Sequence, residues 1–219
     1  MAKNQNNIIY KFAFLGDSQV GKTSIFKKMS IGDFTLNVST IGIEKKTFFF
    51  NDIDIEIKGN KEKKSFQIEI FDTAGQERYR SLASNYIKGS DGVILIYDIT
   101  KKPTFEHLKD WLASIKDILS NWNTNNYLIL LLGNKLDLVE ENENSREVSL
   151  KEVYDKYDNS GIILGGEVSA KNFSEKQFLD IIQNLAVNLY IKKGNNNNKG
   201  NNSRKLEKPD KIIKKKKFC

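Results

Sequence analysis

Gly16-Asp17-Ser18-Gln19-Val20-Gly21-Lys22-Thr23 follow directly on an apolar run, Ile8–Leu15. They fit the pattern G-x-x-x-x-G-K-[ST] between a strand and a helix, a cradle for a chain of phosphates. In such a loop the backbone N–H groups converge on anionic oxygens, and the positive end of the following helix assists them. Gly16 and Gly21 permit the tight turn. Lys22 brings a cation to the β- and γ-phosphates, and the Thr23 hydroxyl can ligate Mg²⁺. Asp17, Ser18, Gln19, Val20 and Ser24 complete the expected phosphate-binding stretch.

Three further groups follow in chain order. Phe71-Asp72-Thr73-Ala74-Gly75-Gln76-Glu77 closes an alternating apolar pattern at Phe66, Ile68 and Ile70. A carboxylate there can hold an Mg²⁺-bound water, Gly75 can offer its N–H to a γ-phosphate, and Gln76 can orient an attacking water. Asn134-Lys135-Leu136-Asp137 ends another apolar run. Its Asp137 carboxylate can accept from both the N1–H and the 2-amino group of guanine, a donor pair that adenine lacks. In Ser169-Ala170-Lys171 a tight turn can direct a backbone N–H at the guanine O6. Each group alone is a weak signal, since an aspartate at a strand end is as readily a helix cap. All four in order, each at the C-terminal end of a strand, fit one ligand at the mouth of an open sheet.

The elements that must position these groups are legible in outline. Apolar runs at 8–15, 92–97, 127–132 and 161–168 have the character of parallel strands buried on both faces. Between them, Phe105, Leu108, Trp111 or Leu112, Ile115 and Leu119 recur with helical spacing after Pro103 and Thr104. Phe178, Ile181 or Ile182, Leu185 and Leu189 predict a last amphipathic helix. Alternating strands and helices make an open α/β sheet. The polar, lysine-rich stretch within 48–65 predicts an extended hairpin, and the asparagine-rich run from Gly194 has too little apolar surface to pack. The sole histidine, His107, lies on the predicted 103–120 helix and reads as structural.

The domain plan is a flexible 1–7, a folded 8–191 and a disordered basic tail at 192–219. The chain of 219 residues carries +7 overall, yet residues 192–219 hold eleven basic residues against two acidic ones. The tail is thus +9 and the folded part −2, which makes the basicity an interaction arm rather than a nucleic-acid-binding property of the fold. No run of apolar residues is long enough to span a bilayer. The N-terminus lacks the apolar stretch of a secretory signal, and Ala2 excludes N-myristoylation. One cysteine, Cys219, forms no internal disulfide, so an intracellular protein is expected.

Over residues 8 to about 191 the chain resembles the Ras superfamily of small GTPases, and within it the Rab family. Gln76-Glu77-Arg78-Tyr79-Arg80-Ser81-Leu82, Leu95-Ile96-Tyr97-Asp98-Ile99-Thr100 and Asp110-Trp111-Leu112 carry the Rab likeness. The resemblance implies an α/β P-loop small G-domain, with a six-stranded, mostly parallel sheet flanked by five helices. It implies a monomeric switch that hydrolyses GTP with Mg²⁺, held by Thr23, Thr40 and Asp72, and with Gln76 and Lys22 as the catalytic residues. Thr40 would lie in a first switch at 34–44, with Phe34 edge-on against the base. Gly75 and Gln76 would lie in a second switch. Asn134, Lys135, Asp137, Ser169, Ala170 and Lys171 would surround guanine. Implied partners are exchange factors, GTPase-activating proteins, effectors and prenylation or GDI-type chaperones, at the cytoplasmic face of intracellular membranes in vesicle traffic.

The chain also departs from that family. Gln19 stands where many relatives have a small residue, and the stretch from Thr23 to Thr40 is slightly short. Glu44-Lys45-Lys46 replaces an acidic residue followed by Phe, and 48–65 is longer than usual. The first switch offers no arginine to act in cis, so hydrolysis is expected to be slow. The terminal Cys219, behind four lysines at 214–217, resembles a Rab prenylation site, although it is a single cysteine and not a C-a-a-X box. A nucleotide-locked adaptor that barely hydrolyses GTP is the alternative that Gln19 and the altered switch leave open.

Overall fold

The computed structural model describes residues 7–29, 37–38, 44–57, 59–73, 80–119, 127–172 and 174–197. In chain order the elements are β1 (Ile8–Leu15), α1 (Lys22–Lys28), β2 (Asn37–Val38), β3 (Glu44–Ile57), β4 (Asn60–Asp72), α2 (Arg80–Gly89) and β5 (Gly92–Asp98). Then come α3 (Lys102–Glu106), α4 (Leu108–Ile118), β6 (Leu128–Asn134), α5 (Leu136–Glu141), α6 (Leu150–Tyr157), β7 (Ile163–Glu167) and α7 (Glu175–Asn197). The strands form one sheet in the order β2-β3-β4-β1-β5-β6-β7. β1, β4, β5, β6 and β7 pair in parallel, while β3 runs antiparallel to both β2 and β4. Six full strands match the expected sheet, and the two-residue β2 is added at its edge.

Alternation along β1 divides the apolar side chains between two layers, because successive residues of a strand point to opposite faces. Tyr10, Phe12 and Phe14 join Ile25 and Phe26 of α1 and Phe178, Ile182 and Leu189 of α7 on one face. Ala13 and Leu15 join Ile87 of α2, Phe105 of α3, Leu108 and Ile115 of α4 and Val153 of α6 on the other. A sheet covered on both faces explains why β5 and β6 are buried along their whole length. The five principal helices expected are α1, α2, α3 with α4, α6 and α7, and the short α5 is added after the Asn134 group.

Chain direction from β1 crosses to β4 on one side and to β5 on the other. That reversal opens a crevice at the carboxyl ends of the strands, the ligand position in sheets of this kind. Leu15, Asp72, Asp98 and Asn134 all lie at those ends.

Three local readings change. The helix expected at 103–120 starts at Lys102 and is divided at His107, which ends α3 and precedes α4. The strand expected at 161–168 is confined to Ile163–Glu167, with Gly166 in the left-handed region at φ 81°. The tail begins later than 192, since α7 continues through Gly194 to Asn197.

The physical reason for the longer helix is docking. Lys193 Nζ lies 2.6 Å from Asp91 Oδ1 and 4.9 Å from the centre of the Tyr10 ring. Burial pushes the Lys192 ammonium below the usual lysine range. Packing, more than intrinsic propensity, holds a helix end of this composition.

The lysine-rich stretch is a hairpin, as expected, but one face of it is packed. β3 and β4 pair as far as Ile57 with Asn60, with a bulge between Phe50 and Ile53 where Asp52 takes φ 53°. Ile55 is buried in the same cluster as Leu185 and Leu189 of α7, and Ile53 and Ile57 pack against that cluster. Tyr190 sits edge-on to Phe66 with ring centres 5.9 Å apart, and Lys64 Nζ lies 5.6 Å from the Tyr190 ring centre. Aliphatic lysine stems cover apolar surface while their ammonium groups stay in water. Among the described residues no helix is long and apolar enough to cross a membrane.

Candidate functional site

The loop after β1 can only be built around its two glycines. Gly16 has φ 136°, and a Cβ there would lie 2.2 Å from the Ile96 carbonyl oxygen on β5. Gly21 has φ 99°, and a Cβ there would lie 2.1 Å from Asn134 Nδ2. Between them Gln19 also takes a left-handed φ of 65°, a conformation that costs a residue with a Cβ about 1 kcal/mol. The side chain of Gln19 is exposed, and that of Val20 is buried beneath the loop.

Lys22 opens α1, and its side chain is buried. Its Nζ donates to the Gly16 carbonyl at 2.8 Å and to the Asp17 carbonyl at 2.7 Å. The ammonium is therefore held over the loop that it serves. Thr23 and Ser24 occupy the next two positions of α1.

Asn134 connects the phosphate loop to the base loop. Its Nδ2 donates to the Val20 carbonyl at 2.8 Å, and its Oδ1 accepts the Ala170 N–H at 3.0 Å. It is 1% exposed, so losing either partner would leave a buried polar atom unsatisfied, at about 1–3 kcal/mol. Asp137 is fixed in the same manner. Its Oδ1 accepts the Ser169 hydroxyl at 2.6 Å, and Ser169 Oγ accepts the N–H groups of Lys171 at 3.2 Å and Asn172 at 3.1 Å. Lys135, next to Asn134, adopts φ 75° and reaches back to Asp98 Oδ2 at 2.6 Å. Asp98 is fully buried, and its other oxygen accepts the Thr100 N–H and hydroxyl.

Asp72 closes β4 with 2% exposure, and Thr73 Oγ1 donates to the Phe14 carbonyl at 2.7 Å. The pairing of Ala13 with Phe71 therefore sets Asp72 beside the start of the phosphate loop. A buried carboxylate and a threonine hydroxyl are hard oxygen donors, and Mg²⁺ takes few protein ligands beside phosphate and water. Thr23 and Asp72 suit that ion. Behind them, Lys46 reaches the Phe26 carbonyl and lies 4.5 Å from the Phe26 ring centre. Burial lowers its pKa below the usual lysine value, and the charges of Glu44 and Asp72 oppose that shift.

Tertiary structure thus brings together Asp17 to Ser24, Asp72, Asn134, Lys135, Asp137, Ser169, Ala170 and Lys171. Phe34, Thr40, Gly75, Gln76 and Cys219 lie outside the described residues. The sequence reading omitted the buried Asp98, although it ends β5 as Asp72 ends β4. The strand-end criterion used for Asp72 would have found it. The sequence also gave no sign that His107 and Trp111 reach Asp17.

Comparison with known proteins agrees with this geometry. A model of the Ras family matches residues 11–188. The Ras-related protein Rab11A of Lotus japonicus is 35% identical over 180 residues, which cover 82% of this chain and 65% of that protein. The Ras-related protein RABA4b of Arabidopsis thaliana is 33% identical over 188 residues, 85% of this chain and 69% of that protein. The Ras-related protein YPTC6 of Chlamydomonas reinhardtii is 40% identical over 131 residues, 59% of this chain and 55% of that protein. The chain spans about two thirds of the length of the first two relatives and just over half of the third. With the phosphate loop, the sheet order and these matches together, the chain belongs to the Ras superfamily of small GTPases and, within it, to the Rab family.

Proposed function

We propose that this protein is a guanine-nucleotide switch that binds GTP with Mg²⁺, hydrolyses it slowly to GDP and phosphate, and recruits effectors to intracellular membranes in vesicle traffic. The observation that carries the reading is Asn134, which joins the Val20 carbonyl of the phosphate loop to the Ala170 N–H of the base loop. A ligand filling both loops must have phosphates at one end and a base at the other. A carboxylate held by Ser169 at Asp137 suits a base with two adjacent donors, which is guanine.

Phosphoryl transfer of this kind depends on positioning and charge neutralisation rather than on a covalent nucleophile. Lys22 supplies positive charge to the transferring phosphate, and the loop N–H groups take the remaining anionic oxygens. When bound, Mg²⁺ would be held by Thr23, Thr40 and Asp72 and would neutralise charge on the β- and γ-phosphates. Gln76 orients the attacking water. Thr40 and Gly75 are the residues that would meet the γ-phosphate, and loss of that group would release both switch segments. With no arginine of its own in the first switch, the chain waits on an activating protein for one, an effect of about 10³–10⁵ in rate. Exchange factors, activating proteins, effectors and GDI-type chaperones are the partners this cycle requires. Prenylation of Cys219 and the basic tail supply the membrane anchor. A single lipid anchors weakly, and the basic residues add the second signal.

Gln19 favours a second reading, a nucleotide-locked adaptor. Its left-handed backbone places an exposed side chain within the phosphate loop. Single-turnover hydrolysis of preloaded GTP, run beside a Gln76→Leu variant, separates the two. Slow turnover that Gln76→Leu abolishes supports the switch. Tight binding with no turnover in either protein supports the adaptor, and no GTP binding defeats both.

A further inference from the structure

Asp17 is a carboxylate within a loop built for phosphates, so its charge opposes the ligand unless something holds it aside. Two donors do so. His107 Nδ1 lies 2.6 Å from Asp17 Oδ2, and Trp111 Nε1 donates to Asp17 Oδ1 at 2.8 Å. Each carboxylate oxygen has its own partner. The donors come from the junction where the α3–α4 segment divides, four residues apart and therefore on one face of the helix. The Trp111 N–H is donor only, and a half-buried indole N–H ordinarily requires an acceptor. The main chain of Asp17 is engaged on the opposite side, where its carbonyl accepts Lys22 Nζ at 2.7 Å. One residue therefore links the α3–α4 junction to the lysine that meets the phosphates.

The geometry points to Asp17, held by His107 and Trp111, as the positioning residue that sets how long the nucleotide stays bound. This deepens the nucleotide-switch reading and rests on it. Freed from both donors, the carboxylate can turn toward the phosphates and the Asp17 carbonyl loses its fixed place beneath Lys22. Both effects weaken the bound state and act on the rate of release. The Asp17 side chain is 23% exposed and the His107 side chain 54% exposed, so the imidazole is also reachable from solvent.

The test is release of a fluorescent GDP analogue from the full chain, comparing the wild type with His107→Leu, Trp111→Phe and the double variant. Phe at 111 keeps an aromatic ring in the apolar cluster while removing the N–H and part of the indole, so His107→Leu, at a residue too exposed to carry the core, controls for the lost packing. Release from the double variant is expected to be about tenfold faster, equivalent to about 1.4 kcal/mol, at an unchanged melting temperature of the nucleotide-free protein. His107→Gln, which keeps a side-chain donor, is expected to recover part of the loss. His107 is the chain's only histidine, so its imidazole NMR signals are free of overlap and are expected to shift when GDP is added. Release within about twofold of wild type in the double variant, or His107→Gln no better than His107→Leu, overturns the inference while GDP binding itself stands. A wild type that does not hold GDP removes the switch reading and this inference with it. If the double variant fails to fold, the single variants and the His107 signals decide the matter on the same criteria.

Discussion

The base selection proposed for Asp137 has energetics that follow from the confinement of its carboxylate. The carboxylate is 8% exposed and is oriented by a 2.6 Å bond from Ser169, so a bound base meets it without reorganisation. Hydrogen bonds to a charged group contribute about 1.5–3 kcal/mol each. Asp137→Asn replaces one acceptor by a donor, which opposes the 2-amino group of guanine and suits the 2-oxo group of xanthine. GTP affinity is expected to fall at least a hundredfold, by about 3 kcal/mol, while xanthosine triphosphate binding improves. Competition titration against a fluorescent GDP analogue measures both. Undiminished GTP affinity in Asp137→Asn would show that the base is not read there. Residues of this kind are visible in a sequence because loop chemistry is local. Gly16 and Gly21 are demanded by backbone angles and close approaches that no other residue type meets.

At the scale of elements, the lengthened hairpin and α7 support one another. Ile55 lies in the cluster that holds Leu185 and Leu189, and Tyr190 packs on Phe66. Truncating Ile55 to alanine removes buried methylenes at an expected local cost of about 2–4 kcal/mol. Because Ile55 lies on the sheet's antiparallel arm and not at the carboxyl ends of the parallel strands, the cost falls on α7 and not on the nucleotide. Hydrogen exchange is expected to accelerate in residues 188–197 of Ile55→Ala, with GDP release unaltered. Unchanged protection of that helix end would show that α7 holds itself. The polar, lysine-rich pattern in 48–65 predicts an extended hairpin but not which face of it is packed, because the polar residues outnumber the isoleucines. What the pattern missed is that Ile53, Ile55 and Ile57 share one face, which finds a partner more than a hundred residues later in the chain.

For the whole molecule, charge is divided between a nearly neutral domain and a strongly basic tail. Each lysine close to an anionic leaflet contributes about 1 kcal/mol, and salt screens that attraction over about 8–10 Å. Replacing the four lysines at 214–217 with glutamine is expected to weaken binding of the full chain to vesicles rich in anionic lipid by up to about a thousandfold. Co-sedimentation at low and high salt reads this out. Binding that ignores both salt and substitution would assign the membrane contact to another surface.

The sequence by itself determined the α/β class, the phosphate loop and the carboxylate proposed to read the base. Each depends on residue types at short spacing, such as strand, glycine turn and helix in immediate succession. Only the tertiary structure decided that Asn134 bonds to Val20 and Ala170, that Lys135 pairs with Asp98, and that His107 and Trp111 hold Asp17. Those partners are separated by 36 to 114 positions, and sheet order and helix packing bring them together. Local composition ends α7 near residue 191, whereas docking of Lys193 on Asp91 and Tyr10 extends it past that point. A contact between distant residues has no local signature, because the energy that forms it comes from surfaces that exist only once the sheet has been assembled.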